Sequence, residues 1–158
     1  MTMRLFFFRH GLAEPGTERL PDHERALTDV GSERVERAGR VLKALDAVPA
    51  HLLTSPLLRA RQTADILAKE LGLTAQIRPE LAPGFSLPAL EALVAGLNGD
   101  DLMLVGHEPD FSVTIGALTG GVVLMKKGGM ARVDLVGYRP LRGALVWLIA
   151  PRVFDILA

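Results

Sequence analysis

LFFFRHG, residues 5–11, is the stretch on which the fold turns. Leu5–Phe8 is a short run of bulky apolar residues, the mark of a strand buried on both faces. It stops abruptly at two ionisable side chains and a glycine. Two later stretches repeat this pattern of apolar run followed by polar groups: His51–Thr54 before Ser55-Pro56-Leu57-Leu58-Arg59, and Leu102–Val105 before Gly106-His107-Glu108-Pro109. Helices are expected between them. Thr28 reads as the N-cap of one running to about Asp46, with Val30, Val35, Ala38, Val41, Leu42 and Leu45 on its apolar face. Ser55-Pro56 reads as N-cap and first-turn proline of a second, stopped at Gly72 after Leu71. A weak strand near Gln76–Arg78, a helix over Leu87–Leu97 and a helix from Pro109 to about Leu118 follow. Ala131–Val136 and Ala144–Ile149 close the chain as antiparallel neighbours. Strands interleaved with helices predict a three-layer α/β/α sandwich with a mostly parallel central sheet, and no linker divides residues 1–158, so one domain is expected.

Composition narrows the function. Lys plus Arg and Asp plus Glu are 18 each among 158 residues, so no bulk charge draws the chain to nucleic acid or an anionic membrane. Hydrophobic residues make up 49% and charged residues 23%, a globular balance. There is no cysteine, which removes disulfides, thiolate nucleophiles and Cys-ligated metals and is compatible with a reducing compartment. The apolar tail 144–158 carries Pro151, Arg152 and Asp155 and falls short of the roughly 20 apolar residues of a spanning helix. Leu5–Phe8 is too short for the core of a signal peptide. A cytoplasmic protein without membrane or nucleic-acid partners is expected.

Ligands of open α/β sheets bind beyond the carboxyl ends of the strands. There the sequence places Arg9-His10-Gly11, Arg59 and His107, with two helix N-termini, near Pro56 and Pro109, that favour an anion. Two histidines and two arginines suit phosphoryl transfer. One imidazole attacks phosphorus, and guanidinium forks hold the oxygens. No metal or other cofactor is called for. Arg61 shares the start of the helix with Arg59, and only one of them need face the site. Gly11 reads as the residue that lets the backbone turn sharply beside His10.

These pieces, in order, resemble the histidine phosphatase superfamily, of phosphoglycerate mutase-like fold, and within it the short SixA-like phosphohistidine phosphatases. The resemblance spans nearly the whole chain: FFFRHGLAE (6–14), RALTDVG (25–31), LLTSPLLRARQTA (52–64), RPELAPG (78–84), LVGHEP (104–109) and the tail 129–151. It implies that His10 is the nucleophile that becomes phosphohistidine. It also implies that Arg9 and Arg59 bind the phosphate, that His107 contacts the phosphoryl group, and that Arg25 is a further substrate contact at the rim. Between Ala75 and Asp100 there is no room for the covering insertion that larger members carry. That suits a large substrate, a phosphohistidine on a phosphorelay protein, ahead of a small phosphoester such as a sugar phosphate or nucleotide. A non-catalytic phosphate-binding module is the third reading. Glu80 and Glu108 are the candidate proton donors; beside a helix N-terminus Glu108 favours its anion.

Overall fold

The computed structural model describes residues 2–157, in which the apolar run at the N-terminus forms strand β1, Arg4–Arg9. Phe6, Phe7 and Phe8 are wholly buried, and each such side chain contributes about 1.5–3 kcal/mol on leaving water. Alternation sends them to opposite faces. Leu5 and Phe7 pack with Phe111, Ile115, Leu90 and Leu93 of helices α3 (Leu87–Ala95) and α4 (Asp110–Thr119). Phe6 and Phe8 pack with residues of α1 (Asp29–Ala44), α2 (Leu58–Leu71) and α5 (Pro151–Leu157). A strand covered on both sides must be apolar at every position, which is why this run does not alternate.

The remaining strands are β2 (His51–Thr54), β3 (Ala75–Ile77), β4 (Leu102–Gly106), β5 (Met130–Tyr138) and β6 (Leu141–Ile149). They form one six-stranded sheet in the order β3-β2-β4-β1-β5-β6. β3, β2, β4 and β1 are mutually parallel, and β5 and β6 join antiparallel. This is the expected three-layer α/β/α sandwich, with helices packed on both faces of the sheet. β1 leaves through α1 on one face and the adjacent β4 leaves through α4 on the other. Their carboxyl ends therefore part at a topological switch point, where such sheets open a crevice. No helix among the described residues is long and apolar enough to cross a membrane.

Several boundaries depart from the sequence reading, each for a physical reason. Thr28 caps α1 as expected, accepting from the Gly31 amide at 2.9 Å. Val30 and Leu45, however, are half exposed and do not belong to its buried face. It is Gly31 that meets the protein there: a Cβ on it would lie 2.3 Å from the Leu12 carbonyl oxygen, so only glycine lets α1 approach the loop after β1. Ser55 does not cap α2, which begins at Leu58 beyond Pro56; its hydroxyl is engaged elsewhere. The two closing strands are longer than predicted and meet across Arg139-Pro140. Their polar inner residues, Gly137 to Gly143, hid the extension, which is held by cross-strand pairing. α5 was not foreseen. Seven residues are too few to be helical alone; Phe154 packs into the core, and Asp155 pairs with Arg34 and Arg37 at 3.2 Å each.

Candidate active site

Three segments converge at the carboxyl ends of β1, β2 and β4. His10 follows β1, Arg59 lies in the first turn of α2, and His107 follows β4. All three are about 95% buried, although all are polar. Arg59 Nε donates to His10 Nε2 at 3.3 Å, and the two imidazole rings lie 5.3 Å apart between centroids. Arg59, not Arg61, faces the histidines, because the Arg61 guanidinium folds back onto the Pro56 carbonyl at 2.9 Å.

The His10 ring has a defined tautomer. Its Nδ1 lies 2.8 Å from the Gly11 carbonyl, which only accepts, so Nδ1 carries the proton and Nε2 keeps a lone pair. Burial pushes the His10 pKa down to about 3, and the charges of Arg59 and Arg9 push the same way against the Gly11 bond. His107 is pushed down to about 4, again chiefly by burial and then by Arg59, with Asp110 and Asp22 opposing. Both rings are neutral near pH 7. A neutral imidazole whose Nε2 is unprotonated is a nucleophile for an anionic electrophile once the Arg59 Nε–H that rests on it turns to the anion.

Arg9 approaches the same pocket. Its Nη1 donates to the Met125 carbonyl at 2.8 Å, while its buried Nε has no partner. Burial lowers its pKa, partly offset by Glu108, but a guanidinium remains charged at any working pH. The loop before β5 also fixes the backbone here. The Gly128 amide donates to the carbonyls of Arg9 and His10 at 3.0 and 2.9 Å, and the Arg9 amide donates to Gly129.

α2 holds the site together by helical spacing. Thr63, one turn beyond Arg59, donates to the Arg59 carbonyl at 2.7 Å and accepts from the Gly11 amide at 3.0 Å. Gln62 accepts from the Leu27 amide at 2.7 Å. Gly11 itself has no left-handed backbone; it is small because a Cβ would come within 3.0 Å of Val35 and 3.3 Å of Leu27. The expected sharp turn is instead a close packing.

Arg25 reaches the rim only through a carboxylate. Its Nε donates to Asp22 at 3.0 Å and its Nη1 to the Glu14 carbonyl at 3.1 Å. Asp22 also receives Arg59 Nη2 at 3.2 Å, and its carbonyl receives Nη1 at 2.9 Å. Slight burial works against the Asp22 carboxylate, but Arg59 and then Arg25 outweigh it and hold its pKa below the usual range. The sequence reading names none of Asp22, Ser55 and Thr63 as a site residue. The signal for the last two was the unbroken TSPLLRARQTA stretch, in which both stand beside Arg59.

Neither candidate proton donor is poised as an acid. The Glu108 carboxylate takes the Ser112 amide at 2.8 Å and the Ser112 hydroxyl, so it caps α4 and occupies the helix end expected to welcome an anion. Glu80 is exposed, and its own backbone amide and then Arg78 hold its pKa below the usual value. Among the described residues no three His, Asp or Glu side chains converge with metal-binding geometry.

Both the sequence and the fold have relatives among known proteins. The sequence matches the histidine phosphatase superfamily (branch 1) over residues 5–83, half of the chain. An uncharacterized protein of Picosynechococcus sp. is 42% identical over 137 residues, covering 81% of this chain and 82% of its own. The fold is similar to that of the protein histidine phosphatase SixA complexed with tungstate, with a TM-score of 0.85 and 25% identity over 96% of this chain and 99% of that one. It is also similar to a mycobacterial glucosyl-3-phosphoglycerate phosphatase, with a TM-score of 0.74 and 18% identity over 95% of this chain and 100% of that one.

Proposed function

This chain belongs to the histidine phosphatase superfamily, and from that premise we propose that it is a metal-independent phosphatase whose nucleophile is His10 and whose preferred substrate is phosphohistidine on a phosphorelay protein. The observation that carries the mechanism is the neutral His10 ring, with Nδ1–H fixed on the Gly11 carbonyl and Nε2 unprotonated, accepting only the 3.3 Å hydrogen bond of Arg59 Nε, which an incoming phosphoryl group would draw to its own oxygens. The Nε2 lone pair forms a bond to phosphorus, and the bond from phosphorus to the leaving group breaks. The leaving group departs with that electron pair and takes a proton from water. Water then attacks the phosphorus on His10, the new P–N bond breaks, and inorganic phosphate leaves with Nε2 restored. Arg9, Arg59 and His107 hold the phosphoryl oxygens as charge redistributes among them, the usual source of rate in phosphoryl transfer.

The substrate reading rests on two observations. The pKa values of Glu80 and Asp22 are held below the usual carboxylate range and the Glu108 side chain is taken up by Ser112, so a leaving group that needs little protonation is preferred. Phosphohistidine, with its labile P–N bond, is such a group. The loop that braces Arg9 and His10 also exposes Val122 and Leu124, two apolar side chains that a protein substrate could cover. Likeness to SixA, a protein histidine phosphatase solved in complex with tungstate, supports the substrate class. The glucosyl-3-phosphoglycerate phosphatase of like fold makes a small phosphoester the second reading. Turnover of a phosphohistidine protein beside a panel of small phosphoesters decides between them: the protein should be turned over faster, and a faster small ester overturns the substrate assignment. Chelators should leave the rate unchanged.

A further inference from the structure

We propose that Ser55 is a positioning residue that fixes His107 as the Nδ1–H tautomer, so that this ring presents a hydrogen-bond donor to the phosphoryl oxygens. The inference rests on the proposed phosphatase reading for its consequence, but its first test does not.

One proton, that of the Ser55 hydroxyl, decides the tautomer. Ser55 is wholly buried, and its Oγ accepts from the Leu57 amide at 3.2 Å. A hydroxyl has one proton to give, and a buried one left without an acceptor is costly. Its other polar neighbour is His107 Nε2 at 2.7 Å. If Nε2 carried the proton, the Ser55 hydroxyl proton would have no acceptor, and His107 Nδ1 would be a bare lone pair. If the hydroxyl donates to Nε2, every polar atom of Ser55 is satisfied and the ring proton sits on Nδ1. Nδ1 is buried and has no partner in the protein. An unpaired donor at a buried position calls for an explanation, and here the explanation is the ligand. A phosphoryl oxygen only accepts, so Nδ1–H matches it and a lone pair there would repel it. The two histidines are thus fixed alike and used oppositely. The Gly11 carbonyl accepts from His10 Nδ1–H and leaves Nε2 unprotonated for attack; the Ser55 hydroxyl donates to His107 Nε2 and leaves Nδ1–H for binding. Pro56 then has a local reason to follow Ser55: having no amide proton, it cannot compete for the hydroxyl, and it delays α2 until Leu58.

Long-range proton–nitrogen NMR on histidine-labelled protein at pH 7 tests this without any variant. The His107 ring, assigned by its loss in His107→Gln, should show a protonated Nδ1 and a bare Nε2; a protonated Nε2 overturns the proposal whether or not the protein is a phosphatase. Ser55→Ala should then lose that single tautomer and bind inorganic phosphate about tenfold more weakly, the worth of one bond to a charged ligand. Ser55→Thr, which keeps the hydroxyl, should recover both. An unchanged tautomer and unchanged phosphate affinity in a folded Ser55→Ala protein also overturn the proposal. Phosphate binding with the stated tautomer but no turnover of any phosphorylated substrate would overturn the phosphatase reading alone.

Discussion

The parallel half of the sheet and its antiparallel hairpin serve the site in different ways. β1, β2 and β4 each lead directly into the candidate site: Arg9 and His10, Ser55 and Arg59, His107. The hairpin β5–β6 supplies no side chain to the cluster. Its own Arg132 and Asp134 pair with each other at 2.8 Å, and Val136, Leu145, Val146 and Leu148 face outward. What it offers is backbone, because the loop that leads into it clamps Arg9 and His10 through Met125, Gly128 and Gly129. Side chains at parallel strand ends do the proposed chemistry, and carbonyls and amides from the antiparallel side keep them in place. The lesson is that variants on the two sides should separate cleanly, those at the strand ends losing turnover and those on the outer hairpin losing little.

The largest effect should come from His10→Ala, which removes the nucleophile and is expected to lower kcat by about 10⁴-fold or more while the protein stays folded, checked by phosphate release and thermal unfolding. Arg59→Ala should cost roughly 10²–10³-fold in kcat/KM, as for loss of one preorganised charge at a transition state. Arg61→Ala, one residue pair along the same helix, should change it little, and a reversal of these two would break the assignment. In the core, Phe7→Ala should destabilise by about 3–5 kcal/mol in chemical denaturation, since it empties a fully enclosed position against Phe111.

Smaller effects sharpen the division further. Leu124→Asp should raise KM for a phosphohistidine protein about tenfold, the worth of one anchoring contact, and leave a small aryl phosphate unaffected. If both substrates suffer equally, the loop acts on the site and not on a docking partner. Val136→Thr on the outer hairpin should shift stability within about 0.5 kcal/mol either way.

The pH behaviour has a definite sign. With the His10 and His107 pKa values at about 3 and about 4 in the folded protein, below the ordinary 6.5, the unfolded chain binds protons between those limits that the folded chain does not. Stability therefore falls as pH is lowered from about 6.5 towards 3 and is independent of these two groups above that window. His10→Ala should flatten part of that fall in denaturation measured at stepped pH. In activity, kcat/KM should show no histidine-linked drop between about pH 5 and 8; an inflection near 6.5 would mean that a ring is exposed and ordinary.

The sequence was most legible where the physics is local and dense. A strand buried on both faces has to read as an unbroken apolar run, so β1 and β4 stood out together with the groups that end them. The spacing Arg59 to Thr63 is one helical turn, and the motif carried it whole. What stayed hidden depends on distant partners. α5 exists because Phe154 finds the core and Asp155 finds Arg34 and Arg37. Ser55-Pro56 has the grammar of a helix start, but the serine serves His107, more than fifty residues away. Glu108 was readable as an anion at a helix end, yet only the fold shows Ser112 closing on it. Arg25 lies near the site by way of Asp22, a link that no spacing in the sequence displays.

The account stands most directly on the identity of the nucleophile. Rapid quenching without acid, after mixing with a phosphohistidine protein, followed by peptide mass spectrometry of wild type and His10→Ala, should find phosphate covalently on the peptide holding His10 in the wild type and neither adduct nor phosphate release in the variant. Undiminished phosphate release by His10→Ala, or an adduct on any other residue, would contradict it.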